Sequence, residues 1–466
     1  YLDQLETFAT TTLGKGVVRA KDTPNFVANR VGIAGMLSTM REAEQFGLSY
    51  DLVDDLTGKK LGRASSGTFR TADVVGLDTM AHVIRTMQEQ LGPDRGNDPF
   101  HASYATPPVL AKLIAQGALG QKAGAGFYKK VGRDIQRLDP VKGEYVASGA
   151  KAEPVIDRIL KKAPAERLKL LRESEGPQGQ FLWAILRDGF HYAALHLADI
   201  AESARDVDQA MRWGFGMKQG PFELWQEAGW LEVARMVQED IDAGKALCKA
   251  PLPKWVFEGP VAQAGGVHTA EGSWSPALGK FVPRRVLPVY ERQLFPEKLL
   301  GEASLPDWKT AGTTLFESKA LRTWTLDGQV LIASIKNKMH AISPEVMEGL
   351  MEAVDLAERE YQGMVIWSGD APFSVGADLE ATMPAFVVGG ADAIESVEQE
   401  LQNLMMRIRY AQVPVVSAIH GMALGGGCEL AVYSARRVAH MESYIGLVEV
   451  GVGLVPGAGG LTYIAR

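Results

Sequence analysis

The feature that most constrains this sequence is a run of three glycines, residues 425–427, after an apolar stretch rich in β-branched side chains. Residues 414–419 predict a short buried strand, and residues 428–432 can continue as a helix. Glycine lets the backbone approach a ligand closely because it has no Cβ. Free N–H groups at a helix start, with the helix dipole behind them, favour an oxygen that gains negative charge. The run therefore predicts either a tight strand-to-helix turn or a backbone site for such an oxygen.

A second strand and loop of the same kind precede the glycine run. Residues 363–369 predict another buried strand, and the loop that follows carries Phe-Ser-Val-Gly-Ala-Asp-Leu at residues 373–379. Alone, this segment could be an ordinary loop before a helix. Two successive strand–loop–helix units, each with a small-residue loop, favour one shared binding site over two unrelated turns.

Two glutamates, Glu429 and Glu449, stand twenty positions apart after the glycine run. A glutamate at a helix start is usually solvated or paired with the helix dipole. Glu449 lies in the otherwise apolar residues 445–451, where its carboxylate must be paired, solvated or functional because burying an isolated charge is unfavourable. The residues alone leave these alternatives open.

These segments, with Pro-Gly-Ala-Gly-Gly at residues 456–460, resemble the crotonase (enoyl-CoA hydratase/isomerase) superfamily. The resemblance implies that Ala377 and Gly426 donate their N–H groups to a thioester oxygen. It also implies that Glu429 and Glu449 act as general acid and base on a water that adds to a trans-2-enoyl-CoA. Which glutamate handles which proton stays open. Isomerases often lack one of the two glutamates, so the pair favours hydration, with enoyl-CoA isomerisation as the alternative.

The same resemblance sets the fold and the substrate contacts of this part of the chain. We expect an α/β crotonase domain, a ββα spiral, over residues 321–466, incomplete at its C-terminus because the family carries further helices after this point. The substrate would be a coenzyme A thioester. Four loop residues are assigned to substrate binding: Phe373, Gly376, Asp378 and Gly425.

The preceding three hundred residues read mainly as helices and contain a partial repeat. Residues 21–30 open a helical pattern that runs to about residue 46, and residues 71–91 predict another helix. A spacing of 153 residues relates two sets of four residues, which predicts a duplicated helical domain. The pairs are Asp55 and Asp208, Gly67 and Gly220, Phe69 and Phe222, and Gly76 and Gly229.

Residues 21–30, 120–128 and 220–224 resemble the C-terminal domain of 3-hydroxyacyl-CoA dehydrogenases, present twice. The resemblance implies that Asn29 lies at the substrate end of that family's active site, although a helix side chain satisfied by backbone or water is the alternative. Such a dehydrogenase followed by a hydratase resembles bacterial multifunctional fatty-acid β-oxidation enzymes. The predicted organisation is multidomain. It comprises all-α domains at 1–130 and 178–250, a charged connector at 131–177, an irregular bridge at 251–320 and the crotonase domain at 321–466.

Hydride transfer in the dehydrogenase family uses NAD, and an NAD site needs a strand, a Gly-x-Gly-x-x-Gly turn and a helix. No such pattern occurs in this sequence. We therefore expect the NAD site in a longer parent protein from which this chain is truncated at both ends. His101, His191 and His196 fall outside the family pattern, are interpreted as structural or surface residues, and predict no metal site.

Composition limits the remaining possibilities. The 466 residues predict two or three domains, and 46% apolar with 23% charged residues is typical of a soluble globular protein. A net charge of −7 gives no support for a nucleic-acid partner, and no apolar run reaches the roughly 18 residues of a transmembrane helix. Two cysteines favour a reducing compartment, so a cytoplasmic location is predicted.

Partners are predicted from the family resemblance. Besides the acyl-CoA substrate, we expect a homo-oligomer and a possible thiolase partner for the next step. A non-catalytic scaffold module of a β-oxidation complex is the alternative class of function. Trp255 and Trp274 either pack domains or line a tunnel, and packing is the favoured interpretation.

Overall fold

A computed structural model describes residues 1–302 and 305–465. Arg466, the last residue of the predicted crotonase domain, lies outside the described residues. The chain divides into two compact units. The helical unit comprises Gly16–Val286 and Glu297–Ser304, and the sheet unit comprises Tyr1–Lys15, Leu287–Pro296 and Leu305–Arg466. Within the described residues, no helix is both long and apolar enough to cross a membrane.

Helices account for most of the regular structure. In chain order they are α1 (Leu2–Thr11), α2 (Ala28–Gln45), α3 (Tyr50–Thr57), α4 (Phe69–Val75), α5 (Leu77–Gln90), α6 (Pro108–Ala115), α7 (Pro154–Leu160), α8 (Pro164–Arg172), α9 (Pro177–Ile200), α10 (Ala204–Phe215), α11 (Pro221–Glu227), α12 (Trp230–Asp242), α13 (Gly259–Ala264), α14 (Pro344–Glu360), α15 (Leu379–Arg409), α16 (Gly426–Tyr433) and α17 (Gly460–Ile464).

The strands form two small antiparallel sheets in the helical unit and two further sheets in the sheet unit. In chain order they are β1 (Tyr128–Val131), β2 (Asp134–Leu138), β3 (Tyr145–Ala147), β4 (His268–Thr269), β5 (Gly272–Ser275), β6 (Lys280–Val282), β7 (Thr313–Glu317), β8 (Leu321–Thr325), β9 (Val330–Ile335), β10 (Gly363–Ile366), β11 (Val415–Ile419), β12 (Met422–Leu424), β13 (Arg436–Ala439) and β14 (Tyr444–Gly446).

The core of the helical unit forms around α2 and α9, which pack against each other. Helix α9 begins with Pro177 in its first turn, where a missing N–H costs little, and it is buried on almost every side. The predicted helix over residues 71–91 is instead two helices, α4 and α5. They separate at Gly76, whose φ of 99° no helical residue adopts.

The predicted duplication is visible in the way two carboxylates cap neighbouring backbone groups. Asp208 accepts hydrogen bonds from the amides of Phe222 at 3.0 Å and Glu223 at 2.9 Å. Asp54 accepts from the amides of Phe69 at 2.6 Å and Arg70 at 3.0 Å in the same way. The counterpart of Asp208 is therefore Asp54.

The pairing of Asp55 with Asp208 was wrong by one residue. Asp55 lies one position further round α3, where it accepts from the amide of Ala152 at 2.9 Å and pairs with Lys60 and Lys151. The glycine pairs keep the 153-residue spacing. Gly76 and Gly229 have φ values of 99° and 98°, and each precedes a helix, α5 or α12.

The second copy continues beyond residue 250, into the segment expected to be an irregular bridge. Tyr128 at the start of β1 donates its hydroxyl to Asp54 at 2.7 Å. His268 at the start of β4 places Nε2 2.8 Å from Asp208. Each of these residues opens a three-stranded antiparallel sheet, β1–β2–β3 or β4–β5–β6. Strands of two to five residues are too short to show a clear alternating pattern, so the sequence did not reveal them.

The segment 131–177, expected to be a charged connector, also contributes to the core. It contains β2, β3, α7 and α8, and its apolar side chains Leu138, Ile156 and Leu168 are buried. Trp255 and Trp274 lie with their ring centres 6.1 Å apart within the helical unit. The helical copies thus include more chain than expected, each with a small sheet.

In the sheet unit, a six-stranded sheet has the order β13-β11-β10-β9-β8-β7. Strands β9, β10, β11 and β13 run parallel, and β7 and β8 add an antiparallel edge. A separate pair, β12 and β14, is also parallel. The predicted strands over residues 363–369 and 414–419 are confirmed as β10 and β11. The predicted class, helical domains followed by an α/β domain, is also confirmed.

Candidate active site

Two loops meet where the sequence predicts a shared site. One follows β10, and the other is the turn between β12 and α16. Ser374 joins them, because its amide donates to Met422 at 3.1 Å and its carbonyl accepts from Leu424 at 2.9 Å. The first loop therefore lies against the strand that leads into the glycine run.

The glycines of the two loops are required by this close approach. A Cβ on Gly376, whose φ is 93°, would lie 2.8 Å from the Leu424 carbonyl oxygen and 2.9 Å from the Gly426 nitrogen. A Cβ on Gly427 would lie 2.6 Å from the Ser374 carbonyl oxygen. Only residues without a side chain fit at these two positions.

Ala377 and Gly426 present two backbone N–H groups side by side. The Ala377 nitrogen lies 3.5 Å from the point where a Cβ on Gly426 would stand. Among the described residues, neither amide donates a hydrogen bond to a protein acceptor. Gly426 is also the first residue of α16, so the helix dipole adds positive potential there. This arrangement can bind an oxygen that gains negative charge.

Glu429 lies one turn into α16, and its side chain is buried, with 2% exposed. Its Oε1 accepts a hydrogen bond from the amide of Gly460 at 2.9 Å, within the 456–460 loop. Burial raises the pKa of Glu429, the Gly460 amide lowers it and the charge of Glu449 raises it further, so that it stays above its ordinary value. A carboxyl group with a raised pKa is suited to proton exchange near neutral pH.

Glu449 faces the same turn from a short 3-10 helix, Glu449–Val452. Its Oε1 lies 3.2 Å from the point where a Cβ on Gly425 would stand. Its Oε2 is buried and, within residues 1–302 and 305–465, makes no hydrogen bond to protein. The structure thus brings both glutamates and both amides to the glycine run.

The remaining assigned residues lie in different surroundings. Phe373 is part of the apolar core of the sheet unit. The Asp378 side chain accepts from the amide of Ala381 at 3.0 Å and caps α15. Asn29 lies exposed near the start of α2, in the helical unit. Substrate binding by these three residues stays a prediction.

One carboxylate near the glutamate pair had not been expected. Glu398 lies on α15, with its Oε2 buried, and burial together with the charge of Glu449 raises its pKa. Its position in a long, mostly exposed helix gives no motif by which the sequence could have revealed it. Cys428, next to Glu429, is a free buried thiol whose pKa burial and the neighbouring carboxylates raise to about 11.

Comparison with protein families agrees with this arrangement. Residues 328–466 match the enoyl-CoA hydratase/isomerase family, and residues 26–130 match the 3-hydroxyacyl-CoA dehydrogenase C-terminal domain. The chain carries a domain of each family. The hydratase/isomerase-family domain lies in the sheet unit and contains both loops and both glutamates.

Similar proteins are named either as 3-hydroxyacyl-CoA dehydrogenases or as enzymes of a fatty acid oxidation complex. A "Probable 3-hydroxyacyl-CoA dehydrogenase" of Bacillus subtilis is 34% identical over 97% of this chain and 55% of its own length. A "Putative fatty acid oxidation complex trifunctional enzyme" of Rickettsia felis is 28% identical over 99% of this chain and 57% of its own length. A "Probable 3-hydroxyacyl-CoA dehydrogenase" of Deinococcus radiodurans is 47% identical over 26% of this chain and 34% of its own. The chain spans about half the length of the first two relatives.

The dehydrogenase family implies NAD as a cofactor, but the described residues of the helical unit do not fit a dinucleotide. A dinucleotide site needs a parallel strand, a glycine-rich turn and a helix that meets the pyrophosphate. In the described part of the helical unit the sheets are antiparallel, and the sequence contains no Gly-x-Gly-x-x-Gly pattern. Among the described residues, no three metal-ligating side chains are grouped to hold an ion.

Proposed function

We propose that this chain takes part in fatty-acid β-oxidation and that its hydratase/isomerase-family domain adds water to a trans-2-enoyl-CoA. The observation that carries the proposal is the pair of amides, Ala377 and Gly426, which donate to no acceptor among the described residues and lie beside the two glutamates. A thioester carbonyl bound to these amides would become more electrophilic along the conjugated double bond. As water adds to the β-carbon, the negative charge moves to the thioester oxygen, where the amides stabilise it.

Glu429 and Glu449 would manage the protons of this addition. A water between the two carboxylates loses a proton to one of them while its oxygen bonds to the β-carbon. The α-carbon receives a proton either from the other glutamate or from the glutamate that has just accepted the proton of the water. Atoms and charges therefore balance. The raised pKa of Glu429 supports its part in this exchange. Phe373, Gly376, Asp378 and Gly425 would line the path of the acyl-CoA.

The product, a 3-hydroxyacyl-CoA, is the substrate class named by the second family match. We therefore infer that the full-length parent oxidises it with NAD, at a dinucleotide site outside the residues described. A cytoplasmic location, a homo-oligomer and a thiolase partner extend this proposal and are supported only by the family names and the two free cysteines.

The proposal is tested by incubating the full-length protein with but-2-enoyl-CoA in water labelled with oxygen-18. Hydration predicts loss of the conjugated-thioester absorbance and one heavy oxygen in the product by mass spectrometry. Conversion of a 3-enoyl-CoA to a 2-enoyl-CoA without oxygen incorporation would instead identify an isomerase. Calorimetric acyl-CoA binding without any turnover would favour a scaffold module.

A further inference from the structure

Glu398 reaches the candidate active site from the long helix α15. Its carboxylate lies so close to the backbone of Gly457 that a Cβ on that glycine would collide with it. One turn further along α15, Gln402 donates its Nε2 to the Gly457 carbonyl at 2.7 Å. Helix α15 thus contacts one end of the 456–460 loop through two side chains.

The other end of the same loop holds Glu429. The Gly460 amide donates to Glu429 Oε1 at 2.9 Å, and a Cβ on Gly460 would lie 2.7 Å from Glu429 Cγ. Four residues of chain, Gly457 to Gly460, connect the contact with Glu398 to the contact with Glu429. The loop therefore contacts both carboxylates.

Glu398 and Glu449 each present an unsatisfied oxygen. Among the described residues, Oε2 of Glu398 and Oε2 of Glu449 are buried and have no hydrogen-bond partner in the protein. No lysine or arginine among the described residues forms an ion pair with Glu398, Glu429 or Glu449. Burial and the nearby carboxylates raise the pKa of Glu398 and that of Glu429, because neither has a cation beside it to stabilise its charge.

The remaining titratable groups near this cluster do not relieve the repulsion. Cys428 and Tyr433 face it from α16, and burial raises the pKa of each. Arg409 lies over the Tyr463 ring at 5.1 Å, and Arg407 pairs with Asp355 and Glu358 of α14. Glu398 and Glu429 are therefore expected to retain protons at a pH where isolated glutamates have lost theirs.

We propose that Glu398 is a positioning residue of this site, a third carboxylate that keeps one proton in the cluster and braces the 456–460 loop against Glu429. The inference rests on the proposed hydratase function, in which this proton passes between a glutamate and the substrate or water. Glu398 itself need not touch the substrate. Its charge helps to set the pH at which Glu429 takes up or releases its proton.

The test compares Glu398→Gln with two matched variants of the full-length protein. Glu398→Asp keeps the charge, and Glu400→Gln removes an exposed carboxylate from the same helix. Loss of a neighbouring negative charge makes the remaining carboxyls more acidic. The pH–rate profile of hydration in Glu398→Gln should therefore move to lower pH by about one unit. The profiles of Glu398→Asp and Glu400→Gln should stay within a few tenths of a unit of the wild type.

Carboxyl titration followed by carbon-13 NMR of labelled glutamate provides a readout that does not depend on turnover. The same downward shift of the coupled titration is expected in Glu398→Gln. A profile and a titration that both superimpose on the wild type would overturn the inference while leaving hydration intact. If the wild type does not hydrate the substrate but Glu398→Gln still shows the titration shift, the proposed function is refuted and the role of Glu398 stands.

Discussion

The amide nitrogen of Ala377 lies 3.5 Å from the point where a Cβ on Gly426 would stand, and the next nearest atoms are 3.7 and 3.8 Å away. The fold thus has room for a methyl group there. In the proposed reaction, however, the thioester oxygen occupies this space. We predict that Gly426→Ala keeps the free energy of unfolding within about 1 kcal/mol of the wild type. The methyl would occupy the space of the thioester oxygen and lower kcat/KM for hydration about 100-fold.

Gly451→Ala is the matched control for that variant, because no heavy atom lies within 4 Å of its added Cβ. It should retain both stability and activity. Wild-type turnover by Gly426→Ala would show that the two amides do not bind the reacting oxygen.

Gly376→Ala should instead damage the fold. Its φ of 93° and the predicted Cβ approach of 2.8 Å to the Leu424 carbonyl oxygen combine strain with a backbone clash. We expect the free energy of unfolding of the sheet unit to fall by about 2–4 kcal/mol, measured by urea unfolding. Gly328→Ala has a φ of 75° but no atom within 4 Å, so it should cost only about 1 kcal/mol. Equal effects of the two variants would contradict the clash.

The duplicated capping carboxylates, Asp54 and Asp208, predict how three alanine variants rank in their free energy of unfolding. Asp54→Ala and Asp208→Ala each leave two or more buried backbone amides without an acceptor, and each should lower the unfolding free energy by about 3 kcal/mol. Asp55→Ala removes a more exposed partner and should cost about 1 kcal/mol. Calorimetric unfolding of the three variants measures this order. A larger loss for Asp55→Ala would contradict the one-residue correction.

Glu42 predicts a pH dependence of the helical unit. It is 2% exposed, and burial first and the charge of Asp188 second raise its pKa from 4.5 to about 7, with Arg187 opposing. The folded state therefore holds the proton more tightly than the unfolded state. This contribution is complete below about pH 4.5 and is lost as the pH rises through 7.

The measurement is the difference in unfolding free energy between the wild type and Glu42→Gln across that range. Since glutamine does not ionise, the wild type should lose on the order of 2 kcal/mol relative to the variant between about pH 5 and pH 8. Glu44→Gln, an exposed position on the same helix, should show no such slope. A flat difference for Glu42→Gln would place this carboxylate in a solvated environment.

The sequence was sufficient for elements with a strong local pattern and for residues within a motif. Strands β10 and β11 and the glycine run follow from β-branched runs and the absence of side chains. The short sheets β1–β3 and β4–β6 were missed because their strands are held by tertiary contacts such as His268 with Asp208. The same limit explains why Asp55 was chosen instead of Asp54. Which of two adjacent aspartates faces the capped amides depends on the rotation of α3 about its axis.

Glu398 illustrates the part that sequence cannot supply. Its approach to Gly457 depends on how α15 packs beside α16, which no spacing along the chain encodes. The apolar side chains of segment 131–177 are similarly too sparse to distinguish a packed segment from a solvated one.

The most direct test of the central claim replaces Glu429 and Glu449 individually by glutamine in the full-length protein. The measured quantity is kcat for hydration of but-2-enoyl-CoA. If both carboxylates move protons during water addition, each variant should lose at least about 100-fold in kcat, with Glu395→Gln on exposed helix α15 as the active control. Near-wild-type hydration by either glutamine variant would contradict the claim.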